Sequence, residues 1–64
     1  RRMRIMRFRT FKDERGDDVH FNMDNVSLIM PHKDPTKHIV FFVGGQSITI
    51  TAILAEIVAE ITRP

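Results

Sequence analysis

The segment His38-Ile39-Val40-Phe41-Phe42-Val43, followed at once by Gly44-Gly45, constrains this chain most. A short unbroken run of β-branched and aromatic residues reads as a buried central strand. A Gly-Gly pair after it is a tight-turn signal. The next residues alternate, with Ile48 and Ile50 inward and Ser47, Thr49 and Thr51 outward, so the run is one arm of a β-hairpin. Gly44-Gly45 is no phosphate loop, since neither the Lys-Ser/Thr partner nor a following helix accompanies it.

Period two also governs the start. In Arg4–Lys12, Met6, Phe8 and Thr10 share one strand face, and Ile5, Arg7, Arg9 and Phe11 share the other. The polar stretch Asp13-Glu14-Arg15-Gly16-Asp17-Asp18 reads as a turn, and Val19-His20-Phe21 as the returning strand with Val19 and Phe21 inward. Asn22-Met23-Asp24-Asn25 is rich in turn-forming side chains and predicts a kink or one helical turn. Val26–Met30 reads as a third strand, with Val26, Leu28 and Met30 on one face and Pro31 ending it. A polar loop, Pro31–Lys37, follows and is expected to be the mobile part. From Ala52 to Thr62, Ile53, Leu54, Ile57, Val58 and Ile61 recur at helical spacing, with Glu56 and Glu60 on the polar side and Thr51 or Thr49 as cap. Eleven residues are too few for an isolated helix, so this one needs a surface to cover.

The expected fold class is therefore α+β, mostly β: a small five-stranded antiparallel sheet or partly open barrel with a C-terminal helix, residues 1–64 forming a single small domain. Sixty-four residues bury only about 60% of the unfolded surface. The absence of cysteine removes disulfides and thiolate metal sites, leaving packing or oligomerisation as the source of stability. No apolar run reaches the roughly 18–20 residues of a membrane helix. The basic start lacks an uninterrupted apolar region of the signal-peptide kind. The reading is a soluble, cytoplasmic protein that does not engage a membrane. The chain opens on Arg1 rather than Met, which fits trimming or a piece of a longer protein.

Charge is distributed unevenly. Arg1, Arg2, Arg4, Arg7 and Arg9 are half of the ten basic residues, whereas from Thr10 onward five basic residues face eight acidic ones, a net of −3. A cationic head on an acidic body points to a polyanionic partner. Guanidinium forks match phosphate oxygens. Arg7 and Arg9 on one strand face stand about 7 Å apart by strand rise, with Phe11 placed to stack on a base. Two structural readings stand beside this one: a charged strand edge that blocks edge-to-edge pairing, and arginines paired with the acidic turn or with Glu56 and Glu60 of a neighbouring subunit.

Other chemistry is thin. His20, His32 and His38 match no ligand spacing. The acidic turn lacks the pattern of a calcium loop. Ser27 and Ser47 have no base in sequence context. No catalytic residue, metal, cofactor or small-molecule substrate is expected, and the chain reads as non-enzymatic. An apolar surface beyond what one helix can cover, with Ile5, Ile29, Val40 and Phe42 as its named members, points to homo-oligomerisation.

From Phe21 onward, the kink Phe21-Asn22-Met23-Asp24-Asn25-Val26, the strand Ile39–Val43, the turn Gly44-Gly45-Gln46-Ser47, the strand Ile48–Thr51 and the acidic apolar helix Ile53–Ile61 resemble the small flagellar-operon proteins of the FlbD/SwrD type. The resemblance covers about two thirds of the chain; the Arg-rich head and long acidic turn depart from it. It implies a small non-enzymatic accessory protein and carries over no ligand residues. The leading expectation is a small oligomeric regulator binding DNA or RNA through Arg2, Arg4, Arg7, Arg9 and Phe11. The alternative is a protein–protein adaptor or assembly subunit whose basic strand and apolar sheet face meet other chains.

Overall fold

The computed structural model of the chain describes residues 7–63. Five strands, β1 (Phe8–Asp13), β2 (Asp18–Asn22), β3 (Val26–Pro31), β4 (Lys37–Phe42) and β5 (Ser47–Thr51), precede one helix, α1 (Leu54–Thr62). All strand pairs are antiparallel, in the order β2-β1-β5-β4-β3. This is the mostly-β class with a C-terminal helix that the alternation predicts.

The connectivity sets the curvature. β2 and β3 are the two outer strands, yet only the 3₁₀ turn Met23–Asn25 joins them. Three residues reach at most about 10 Å, so the sheet has to curl until its edges approach. The result is a partly open barrel. Asn22 caps the 3₁₀ turn, its Oδ1 accepting the Asp24 N–H at 3.0 Å. Across the seam, Phe21 of β2 meets Phe42 of β4 edge-to-face at 5.2 Å, and the Val43 N–H donates to the Asn25 carbonyl at 2.8 Å.

Phe11, Met23, Val40, Ile50, Ala52 and Ile57 form the buried core, with Val19, Phe21, Val26, Ile29, Phe42 and Ile48 packed against it. Phe11 stacks on Phe21 at 5.4 Å. His38 is buried in the same layer and donates its Nδ1–H to the Ala52 carbonyl at 2.9 Å, because a carbonyl can only accept.

Two details differ from the sequence reading. In β3 the register shifts between Val26 and Leu28, so Val26 lies opposite Phe42 and Leu28 opposite Phe41. The extra residue, Ser27, reverses the alternation. Val26 and Ile29 therefore pack on the core, while Leu28 and Met30 are exposed. Helix α1 begins at Leu54 rather than Ala52, and no threonine caps it. The Glu56 carboxylate instead accepts the Ile53 N–H at 3.0 Å, and the Thr51 hydroxyl donates to the Asp13 carbonyl at 2.9 Å.

The β4–β5 turn needs Gly44 and Gly45 at φ +103° and +96°, a region that L side chains rarely adopt. A Cβ on Gly45 would meet nothing within 4 Å, so the cost of adding one is backbone strain alone. Gly45→Ala is expected to lower stability by about 1–2 kcal/mol, read as a shift of the urea midpoint with unchanged slope.

Candidate interaction surfaces

Thr51 at the end of β5 pairs with Lys12 near the end of β1, and the chain then turns so that α1 runs back along β1. Nine helical residues cover about 13.5 Å. The five steps from Lys12 back to Arg7 cover about 16 Å. The last turn of the helix thus arrives at Arg9 and Arg7. The final carbonyls of a helix have no partner within it, and the two arginines supply donors. Arg9 Nε donates to the Glu60 carbonyl at 3.1 Å and Nη2 to the Arg63 carbonyl at 3.1 Å. Its Nη1 donates to the Phe8 carbonyl at 3.0 Å. Arg7 Nη2 donates to the Ile61 carbonyl at 3.0 Å, and its Nη1 to Asp24 Oδ1 at 3.1 Å. The Glu60 carboxylate lies 3.4 Å from Arg9 Nε and 3.3 Å from Arg63 Nη1. Guanidinium charge here meets both a carboxylate and the negative end of the helix dipole.

This corrects the placement expected for the basic strand face. Arg9 is only 7% exposed and Phe11 is core, while Phe8, assigned to the apolar side, is exposed. The face that carries Arg9 and Phe11 is the inner one, because the helix terminus makes part of that interior strongly polar. Arg7 is half-buried beside the helix end. Phe11 is stacked on Phe21 and only 7% exposed, so its ring belongs to the core rather than to an outer face. Arg2, Arg4 and Ile5 lie outside the described residues.

The apolar candidates also change sides. Val40 is 0% exposed, and Ile29 and Phe42 pack against the core. The outer face presents their neighbours instead: Leu28 opposite Phe41, and Met30 opposite Ile39. Sequence alternation groups these four correctly only once the bulge at Ser27 is known.

A second uncharged surface lies on α1. Leu54, Val58 and Ile61 are 62%, 47% and 40% exposed. They follow i, i+4, i+7 spacing and so share one face. Ala55, Ala59 and Thr62 beside them are exposed too. The charged residues of the helix, Glu56 and Glu60, lie on its other flank. They line a groove of about 340 Å³ against β1 together with Phe11, Lys12, Ala52 and Ala59, and Glu56 is itself exposed.

Among the described residues, Arg7, Arg9, Lys12, Arg15, Lys37 and Arg63 each lie within 3.9 Å of a carboxylate. Lys12 and Asp18, opposite each other in β1 and β2, are 2.6 Å apart. Their hydrogen bond, reinforced by charge attraction, raises the Lys12 pKa and lowers that of Asp18. Asp34 organises the β3–β4 loop: its carboxylate accepts the Thr36 N–H at 2.9 Å, the Thr36 hydroxyl at 2.7 Å and Lys37 Nζ at 3.1 Å. The Thr36 backbone N–H, then the Thr36 hydroxyl and Lys37, bring its pKa down from 3.8 to about 2.

The three histidines serve local bonds in separate places. His20 Nδ1 meets the Thr10 hydroxyl across the strands at 2.8 Å, and His32 Nδ1 accepts the Asp34 N–H at 3.0 Å. No three His, Cys, Asp or Glu residues are grouped to hold a metal among the described residues. A groove of about 480 Å³ at the seam is lined by Val19, Phe21, Phe42, Val43 and Ile48 together with His20, Asn25 and Gln46, apolar and polar in similar measure. Among the described residues no helix is long and apolar enough to cross a membrane. No family model, curated protein or solved structure matches the chain.

Two measurements check this electrostatic arrangement. Arg9→Ala is expected to destabilise the fold by about 2–3 kcal/mol, with faster amide exchange in the last turn of α1. Arg9→Lys should recover less than half, because one ammonium cannot serve three carbonyls in a fixed fork. For Asp34, a folded pKa below the unfolded value means its contribution is complete above about pH 4 and is lost as pH falls through about 2. The Asp34 carboxyl carbon should titrate by NMR near 2, and Thr36→Ala should move the midpoint upward.

Proposed function

We propose that this protein is a non-enzymatic protein–protein adaptor or assembly subunit that self-associates. The carrying observation is the use of Arg7 and Arg9: their donors bind the carbonyls at the end of α1, which buries Arg9 and engages the partly exposed Arg7 within the molecule. What faces outward on β3, on Ile39 and Phe41 of β4 and on the Leu54, Val58 and Ile61 side of α1 is apolar, while Lys37 of β4 pairs with Asp34 and Glu56 is exposed on the flank of α1. Uncharged apolar surface of that kind on a small domain marks a site for other protein chains. The resemblance to small flagellar-operon proteins of the FlbD/SwrD type implies the same class, a small accessory protein without catalysis.

The competing reading assigns nucleic-acid binding to the arginine head, now resting on Arg1, Arg2 and Arg4. Fluorescence anisotropy with labelled single- and double-stranded oligonucleotides separates the two. The adaptor reading expects no binding at physiological salt, together with a mass above that of one chain in light scattering. Binding that persists at physiological salt, with a log–log salt slope worth several phosphates, restores the nucleic-acid reading and overturns this one.

A further inference from the structure

We infer that β2 is a docking edge: an extended segment of another protein chain adds to it as a further strand, with alternate apolar side chains turned into the groove at the seam. This rests on the adaptor reading and names the form its partner takes.

Backbone hydrogen bonding between antiparallel strands alternates residue by residue, and for β1 and β2 its phase is fixed at both ends. The Asp13 N–H donates to the Asp17 carbonyl at 2.8 Å, and the Met23 N–H to the Arg7 carbonyl at 2.9 Å. With Phe11 opposite Val19 and Arg9 opposite Phe21, Val19 and Phe21 are the residues that turn their backbone groups toward β1. Asp18, His20 and Asn22 turn theirs the other way, where β2 has no neighbouring strand. No backbone hydrogen bond to a turn or loop engages these three among the described residues. Their side chains are occupied elsewhere: Asp18 with Lys12 and His20 with Thr10, both on β1, and Asn22 with the Asp24 N–H.

Sheet edges are ordinarily blunted by Lys, Pro or a bulge. The other outer strand, β3, has a bulge at Ser27 and ends in Pro31, which has no N–H to offer. β2 has none of the three devices and keeps one continuous register. It presents an N–H and a carbonyl at every second residue over about 13 Å, the repeat of another extended backbone. The groove of about 480 Å³ runs beside this edge, lined by Val19, His20 and Phe21 of β2 and by Phe42, Val43 and Ile48 of the β4–β5 hairpin. An added strand sets its alternate side chains beside Val19 and Phe21, and so over that groove. A second copy is a poorer occupant. Its own Val19 and Phe21 are packed on its own core and cannot enter the groove, and its β3 edge is obstructed.

The probe is a pool of acetylated, amidated heptapeptides with Val, Ile, Leu or Phe at even positions and Ser, Thr or Lys at odd ones. The immobilised chain should retain members of the pool. With these bound, the N–H groups of His20 and Asn22 should exchange with solvent at least about tenfold more slowly, while those of Val19 and Phe21, already held by β1, change little. His20→Pro removes one outward donor without touching a bond to β1 and should weaken retention about tenfold. If that variant fails to fold, N-methylation of the peptide decides instead: blocking one alternate set of amides should abolish binding and blocking the other should not. A pool from which nothing is retained, or bound peptides that leave His20 and Asn22 unprotected and act on Leu28 and Met30 instead, overturns the inference and leaves the adaptor reading standing. So does protection of His20 and Asn22 by raising the protein concentration alone, which makes a second copy the occupant. Oligonucleotide binding at physiological salt removes the adaptor reading itself.

Discussion

The Arg9 guanidinium beneath the last turn of α1 is the contact on which the arrangement depends. A nine-residue helix does not persist alone in water. It holds here because one end is fastened and one side chain, Ile57, enters the core. Burying a cation is costly unless its charge and its donors are both matched. Arg9 has a carboxylate at 3.4 Å and three carbonyls at about 3 Å, and no buried side-chain nitrogen or oxygen lacks a partner among the described residues. The same contact orients α1: with the C-terminus pinned to β1, rotation about the helix axis is fixed, and so is the face left to solvent.

The second constraint is topological. Joining the two outer strands through three residues forces the sheet to curl, and curling decides which side of every strand becomes interior. Phe11, Val19, Phe21 and Phe42 converge because the inner face is concave. The outer face carries Leu28, Met30, Ile39 and Phe41. The helix then closes over part of the concave side, where Ile57 joins the core.

Much of this was legible in the sequence. Period two located the strands, Gly16 and Gly44-Gly45 located the turns, and helical spacing located α1. The failures have specific causes. Alternation says which residues share a face but not which face is inside; for β1, Met6 and Phe8 looked more core-like than Arg7 and Arg9. The deciding interaction links residues more than fifty positions apart, and no local pattern reports it. The bulge at Ser27 is likewise set by pairing with β4, so Leu28 and Met30 could not be separated from Val26 by spacing alone. Because Val40 and Phe42 occupy a continuous apolar run, the same ambiguity assigned them to an interface instead of the core.

These placements change how the charge distribution is understood. A cluster of arginines at one end of a chain suggests an external anion, yet a folded chain carries anions of its own in the carbonyl ends of its helices and in its carboxylates. Here β1 is cationic where α1 ends, and the carbonyl array of α1 satisfies it. Once those charges are matched internally, much of what faces outward without a match is apolar side chain on α1, β3 and β4. Exposed apolar patches of this kind usually mark interaction sites. Arg9 thus acts one step earlier: by holding α1 in place, it determines which residues of the helix face outward.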